Sequence, residues 1–398
     1  MTSYTNVKSL IITNPTLAAS IDTMALDIAA AMRKLGVGAR VFMSSGEKDN
    51  PDLVKNLLEE IRIHPGPSFI LDINAKLKIF TESGNFFDEV GIPKFSFMTD
   101  NPIHHISNLQ KLSKNSLCGM VSLEHIEYSQ LFGLNSKKCI FFPHGGPPAL
   151  VEPRTTQERE IEILFAGNIK GVHSFKEWIE GTFTGEHFLK SILLELHDII
   201  DYPKSRVFSI LIKKLSHLSV SEIRHILQKI FCPLERFLID RERIKVLSAT
   251  KKHKVTIIGG VTKDVVEALP HHNFLGEKSY TEVMDAMSRS KISLNIVPTF
   301  RSGGHERMFY SLAYGSLLLT DQNDYLEKDQ LVNPFINFLP VNLNDMDHIL
   351  AQKLSDTKDL DNLRKIAIDH YSKNHTWEHR IVPVLDMLCE EYSSKICP

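Results

Sequence analysis

Apolar and polar positions alternate in two rhythms along this chain. Through the first 150 residues, short apolar runs are separated by amphipathic stretches, as in a parallel sheet covered by helices. Residues 9–13, 39–43, 68–72, 94–98, 117–122 and 138–141 read as strands. Residues 21–35, stopped near Gly36, and 52–61 read as helices, with 14–20 as a loop. The pattern is that of one Rossmann-type unit. Ligands of open α/β sheets bind beyond the carboxyl ends of the strands, so Asn14, Asp72, Asp100 and His144 are expected at a cleft.

Residues 143–153, PHGGPPALVEP, carry four prolines and two glycines, a composition that ends regular structure and suits a linker. The domain boundary is placed there, giving an N-terminal unit at 1–150 and a second at 151–375. A strand at 161–166 starts a new alternating pattern and runs into Gly167-Asn168-Ile169-Lys170-Gly171. From about 174 to 250 the period becomes helical, with Phe188, Ile192 and Leu196, then Phe208, Ile212 and Leu215, then Ile223, Ile226 and Ile230. This insertion suits a lid, an oligomer surface or an acceptor-binding module. Strands resume at 255–259, 273–275, 292–297 and 317–320, with a helix near 280–290. Residues 376–398 read as a last helix returning toward the N-terminal unit.

The stretch 292–321, ISLNIVPTFRSGGHERMFYSLAYGSLLLTD, holds the densest chemistry. Pro298 and the turn residues Ser302, Gly303 and Gly304 join a strand to a helix expected at 305–314 and ended by Gly315. Free N–H groups and the helix dipole favour phosphate at such a junction, and glycines let it approach the backbone. Arg307 adds a planar fork suited to a diphosphate. Gly303, Gly304 and His305 would supply donors to the same phosphates, although His305 also fits a plain helix N-terminal position. Glu306 reads either as an acceptor for ribose or sugar hydroxyls or as a first-turn carboxylate favoured by the dipole.

Composition narrows the classes. A length of 398 residues allows two ordinary domains, and 42% hydrophobic with 24% charged residues describes a soluble globular chain. The formal net charge of −2 gives no electrostatic reason for a nucleic-acid or anionic-membrane partner. Apolar runs stop well short of the ~18–20 residues of a membrane span, and the polar start MTSYTNVKS has no secretory pattern, so a cytoplasmic location is expected. Cys118, Cys139, Cys232, Cys389 and Cys397 lack CxxC spacing, which suits reduced thiols.

VTIIGG, HHNFLGEKSYTEVMDAMSRSKISLNIVP, GGHERMFYSLAYGSLLLTD and HTWEHR together resemble the CgeB-like, group 1 glycosyltransferases with a His-Glu-Arg signature. The likeness covers residues 255–380, reaches loosely to ILFAGNIKG at 163–171, and elsewhere rests on FMTDNP and PHGG. It implies the GT-B fold, two Rossmann-like α/β domains facing a cleft with a helical insertion in the second. It also implies sugar transfer from a nucleotide diphosphate without a tightly bound metal or other cofactor. UDP is the favoured nucleotide and GDP is possible; a protein, a polysaccharide precursor and a small molecule all fit as acceptor. The insertion could support a homo-oligomer. A nucleotide-sugar epimerase and a non-catalytic scaffold remain as alternatives.

By the same resemblance, Gly167, Asn168 and Lys170 would contact the donor phosphates, and Gly276, Glu277 and Tyr280 would border the nucleotide base. An inverting enzyme needs a base on the N-terminal side, for which Asp100 leads, followed by His104 and His105 in its loop and by His144. One departure stands out. Many GT-B enzymes carry a ribose-binding Glu where this chain has Tyr310, and Glu306 lies one helical turn earlier. His375-Thr376-Trp377-Glu378-His379 also fits the zinc-hydrolase pattern H-x-x-E-H, but only 19 residues follow it (398 − 379) to provide a third ligand. A polar clasp around a packed Trp377 is the expected use.

Overall fold

The computed structural model describes residues 4–13, 19–43, 51–63, 68–82, 84–131, 139–171, 173–200, 204–296, 301–330, 333–355 and 357–392. The chain forms two compact units, Met1–Pro148 with Ser372–Pro398, and Ala149–Tyr371. Asn14, Lys138, Pro298 and Cys397 lie outside the described residues.

The strands of the first unit are β1 (Lys8–Thr13), β2 (Gly38–Met43), β3 (Phe69–Ile73), the hairpin strands β4 (Phe80–Thr81) and β5 (Gly84–Asn85), β6 (Lys94–Met98), β7 (Ser116–Met120) and β8 (Cys139–Phe141). Six of them make one parallel sheet in the order β2-β1-β3-β6-β7-β8. The central strands β3, β6 and β7 are buried along their whole length, which is why they read as apolar runs instead of alternating. Gly119 on β7 leaves room for aromatic rings, since a Cβ there would stand 2.6 Å from Phe95 and 2.9 Å from Phe142. The helix Trp377–Glu391 returns to this unit and packs against the helix Ala19–Lys34, with Tyr4 donating a 2.5 Å hydrogen bond to Asp386.

Asp72 is not at a ligand surface. It is 1% exposed inside β3, accepts hydrogen bonds from Ser96 Oγ and the Leu77 N–H, and lies 3.5 Å from the equally buried ammonium of Lys94. A charge so deep must be paired, so burial has converted an expected cleft residue into half of a core ion pair. The residues just beyond it carry the local strain. Asn74 and Ala75 have φ of 58° and 51°, a left-handed backbone that costs a non-glycine residue energy.

The second unit holds β9 (Ile161–Ala166), β10 (Val255–Ile258), β11 (Asn273–Phe274), β12 (Ser290–Asn295), β13 (Leu317–Thr320) and β14 (Ile336–Phe338). They form a parallel sheet in the order β11-β10-β9-β12-β13-β14, the doubly wound order with its switch between β9 and β12. Between β9 and β10 run the helices Phe175–Thr182, His187–Leu194, Lys204–Lys214 and Val220–Ala249, which are the helical insertion. Ser174 and Ser219 start two of them with reciprocal capping boxes. The far end of the linker is docked by Arg159, 1% exposed, whose guanidinium donates to the carbonyls of Ser290 (2.7 Å), Tyr314 (3.0 Å) and Arg154 (3.2 Å).

Cys118, Cys139 and Cys232 are free thiols, whereas Cys389 is disulfide-bonded, against the expectation of reduced cysteines throughout. Among the described residues no helix is long and apolar enough to cross a membrane.

Lys94→Ala would leave Asp72 buried without its cation, and we expect a loss of about 3–5 kcal/mol of unfolding free energy, read as a lower denaturant midpoint at unchanged m value. A loss under about 1 kcal/mol, the range of surface pairs, would show that the pair does not organise this core.

Candidate functional site

In the second unit β9 and β12 are neighbours at the point where the strand order of the sheet reverses. Gly167 and Asn168 leave β9. The segment after β12 enters the helix Glu306–Ala313, whose second residue, Arg307, reaches back to donate through Nη1 to the Ala166 carbonyl. From the other side comes Arg243, 5% exposed on the helix Val220–Ala249. It donates through Nη1 to the Asn168 carbonyl at 2.5 Å, and its guanidinium carbon sits 5.6 Å from the centre of the Phe165 ring.

Two guanidinium groups therefore flank one short piece of backbone. Gly167 permits it, since a Cβ there would fall 2.8 Å from Arg307 Nη1 and 3.4 Å from Arg243 Cζ. Burial, then the charge of Arg307, pushes the pKa of Arg243 down to about 9, and burial lowers that of Arg307. Arg243 still stays protonated at neutral pH. Among the described residues neither has a carboxylate within ion-pair distance, although Asp240 and Asp321 act on Arg243 from further off. Two desolvated like charges with no contacting carboxylate form a strongly positive spot whose planar forks suit phosphate oxygens.

The other expected donor-side residues divide. At the rim, Gly259 has φ 147° and a Cβ on it would lie 2.3 Å from the Gly167 oxygen, so β9 and β10 end in backbone contact. Asn168 Oδ1 accepts from the Gly260 N–H at 2.7 Å, and the Gly276 carbonyl accepts from the Gly259 N–H at 2.9 Å. Gly167, Asn168 and Gly276 are thus brought together with Arg307. His305 is the helix N-cap, and its Nδ1 accepts from the Arg307 N–H at 3.3 Å, the bland alternative for that ring. Gly303 and Gly304 are buried. The Gly303 carbonyl accepts from Asn323, and a Cβ on Gly304 would strike the Phe309 ring at 2.4 Å, so this glycine serves packing.

Glu306 is half-buried in the first turn and its charge acts on Arg307. Lys170 is exposed and turns to the insertion. Tyr280 packs edge-on against Tyr310, ring centres 5.6 Å apart, in a core with Leu164, Ile258 and Met287. Tyr310 is 0% exposed, so the position at which the resemblance implied an acid is here closed by packing. Arg243 was not anticipated from sequence. Its only signal was an arginine on the inner side of an insertion helix, between Leu238–Ile239 and Val246–Leu247.

In the first unit, Asp100 follows β6 and receives a hydrogen bond from Asn74 Nδ2 at 2.9 Å, while Asn74 Oδ1 accepts from the Thr99 N–H at 2.8 Å. His105 Nε2 lies 3.0 Å from Asp100 Oδ2. Burial tends to raise the Asp100 pKa, but His105, with His104 and Lys76, outweighs it and holds the carboxyl below its usual value. Asp100 is exposed, as is His104, while His105 is buried behind them. The left-handed turn at Asn74 thus aims an ionised, solvent-facing carboxylate. His144 differs from what was expected of it. Only 3% exposed, its ring lies against Phe97 and Trp377, with centres 5.2 and 6.3 Å away. Burial, aided by Arg380 and His125, pushes its pKa down to about 3 despite the pull of Asp100.

PHGG and HTWEHR, two of the most chemical-looking segments, pack on each other. Gly146 bonds in both directions with the later segment, to the His375 carbonyl and from the Trp377 N–H, each at 3.1 Å. A Cβ on Gly145 would press on Trp377 at 2.9 Å. His375 accepts from Arg380 at 2.9 Å, His379 pairs with Thr376 at 2.9 Å, and Glu378 pairs with Lys34 at 2.8 Å. His375 also precedes the helix Trp377–Glu391, so the two histidines do not share the helical face that the zinc pattern requires.

Residues 236–386 match the model of a family described as glycosyl transferase-like. No curated protein matches in sequence. Among solved structures, the chain is similar to a glycosyltransferase from Rickettsia africae ESF-5, with 10% identity, 97% of this chain and 99% of that one covered, and a TM-score of 0.52. It is also similar to sucrose-phosphate synthase from Thermosynechococcus elongatus (9% identity, 98% and 100% covered, TM-score 0.52). A third is AviGT4, a glycosyltransferase involved in avilamycin A biosynthesis (9% identity, 98% and 97% covered, TM-score 0.51). These likenesses show the fold: two Rossmann-like units in succession, as in GT-B.

His144 gives a pH prediction. The unfolded histidine titrates near 6.5 and the folded one near 3, so between those values the unfolded chain binds the extra proton. Its contribution is complete above about pH 6.5 and is lost by up to ~1.4 kcal/mol per unit as the pH falls toward 3. Urea titrations from pH 7 to 4 should show a shallower pH slope for His144→Phe than for the native chain. Equal slopes would mean that the ring protonates in place.

Proposed function

We propose that this protein is a GT-B glycosyltransferase of the CgeB-like type, moving a sugar from a nucleotide diphosphate to an acceptor hydroxyl or amine. The observation that carries the reading is the convergence of Arg243 and Arg307 on the backbone at Gly167. Both arginines lie inside the segment that matches the glycosyl transferase-like family.

The chemistry follows from charge. As the bond from the sugar to the diphosphate breaks, negative charge grows on the leaving oxygens. Fixed guanidinium groups in a partly desolvated site stabilise that charge more in the transition state than in the ground state. The two arginines thus supply cationic stabilisation directly, and the proposed reaction needs no metal ion. Gly167, Asn168 and Gly276 let the donor approach the strand ends, and Glu306 is the proposed ribose or sugar-hydroxyl acceptor now that Tyr310 is in the core. Asp100, oriented by Asn74 and His105, is the proposed base that takes the acceptor proton, with His104 beside it. His144 supports that loop through Phe97 and is not proposed as a proton carrier. UDP is the favoured nucleotide, with GDP second, and a protein, a polysaccharide precursor or a small metabolite fits as acceptor.

A thermal-shift screen of UDP, GDP, CDP, ADP and dTDP with their sugars tests the donor assignment. One nucleotide diphosphate should raise the melting temperature selectively, and Arg307→Ala and Arg243→Ala should each weaken its binding roughly 10- to 100-fold, the worth of a charged hydrogen bond. Undiminished affinity in both variants would sink the reading. With the donor identified, Asp100→Asn should lower turnover about 10²- to 10⁴-fold at nearly unchanged donor affinity.

A further inference from the structure

The helical insertion carries a pocket of its own. Between the loop after β9 and the helices Phe175–Thr182 and Val220–Ala249 lies a cavity of about 230 Å³. One wall is aromatic, with Trp178 and Phe237 stacked at 4.7 Å and 29°. Lys170, Arg236 and Arg241 bring positive charge to the lining, and Asp240 is its one acid.

Asp240 is the informative group. It is 5% exposed, and its Oδ2 accepts from Arg236 Nε at 3.1 Å. Its Oδ1 is buried and makes no hydrogen bond among the described residues, the Lys170 N–H lying near without a well-formed bond. Burial raises its pKa above the usual carboxylate value in spite of Arg236 and Arg243. A buried acceptor without a donor is costly, and such groups are usually met by a partner.

The lining therefore calls for three features in one small molecule. An anionic group would meet Lys170, Arg236 and Arg241; a hydroxyl would donate to Asp240; and a ring with an apolar face would lie on Trp178 and Phe237. The cavity is below the ~300–1,000 Å³ of drug-sized sites, which limits the occupant to about one sugar ring with its charged group. We propose that this pocket binds a sugar phosphate at a site distinct from the Arg243–Arg307 pair. The two sites are neighbours along one helix: Asp240 and Phe237 line the pocket, while Arg243, nearly one turn later and outside the lining, turns to Asn168. The pocket does not depend on the donor reading.

Titration calorimetry on the full chain with glucose 6-phosphate, glucose 1-phosphate, inorganic phosphate and glucose tests it. A hexose phosphate should bind at one site, at least tenfold more tightly than phosphate, with glucose undetected. Lys170→Ala and Arg236→Gln should each weaken it about tenfold. Asp240→Asn should weaken the hexose phosphate but leave inorganic phosphate unchanged, a difference that misfolding cannot mimic. Arg307→Ala should leave all of these values alone. Binding abolished by Arg307→Ala, phosphate as tight as the sugar phosphate, or no saturable binding of either hexose phosphate would each overturn the proposal. Nucleotide binding measured on the same variants reports on the donor site separately.

Discussion

The second unit is organised around an expensive arrangement, two guanidinium groups drawn from water to either side of one short piece of backbone at Gly167. Like charges in a poorly solvated place repel, and each loses hydration. The offsets are local. The carbonyls of Ala166 and Asn168 each accept one N–H, and the Phe165 ring faces Arg243. Gly167 and Gly259 supply the room, because a side chain at either would strike the other group or the facing strand end. The position of the long insertion helix is thereby tied to the site, since it delivers Arg243. A deletion of the insertion would remove one of the two charges as well as a surface.

The first unit solves a different problem, holding a carboxylate in place while leaving it wet. The Asp72–Lys94 pair anchors the end of β3 beside β6. The backbone then turns left-handed at Asn74, and that side chain bonds to Thr99 and Asp100. His105 closes the arrangement from behind. Strain at Asn74 and Ala75 is tolerable because the surrounding bonds over-determine it, which is the usual circumstance in which such backbone persists. The aromatic cluster of Phe97, Phe142, His144 and Trp377 stiffens the same strand end, using the returned C-terminal helix.

Much of the fold was legible because parallel strands buried on both faces produce apolar runs that helices interrupt. Strands β6, β9 and β13 fall at the residues their pattern marks, and others differ by one or two positions, the ladder starting before the apolar run in β1, β2 and β12 and stopping short of its end in β7, β10 and β11. β14, only three residues long, gave no periodicity to read. Arg307 and Gly167 were legible from turn chemistry. Arg243 was not, because its partner lies 75 residues away (243 − 168) and nothing local marks an arginine as inward-facing. The reverse failure is His144, whose residue type suggests chemistry but which burial uses as packing, whereas the H-x-x-E-H segment is the polar clasp its sequence suggested.

The substitution at Tyr310 bears on how the donor would be held. Its ring is sealed among Leu164, Ile258, Met284 and Met287, so no rearrangement short of opening that core would present a group there. Any ribose contact must then come from the rim. Two acids stand there: Glu306, whose charge acts on Arg307, and Glu277, whose side chain folds toward Gly260 and would collide with a Cβ at 2.6 Å. Glu277 is exposed and Glu306 half-buried, unlike the buried Asp72 and Asp240. The phosphate contacts are consequently the rigid part of the proposed donor site and the sugar contacts the adaptable part. Preference for a diphosphate over a monophosphate would then rest on charge count at the arginine pair, and choice among bases on the residues of the rim.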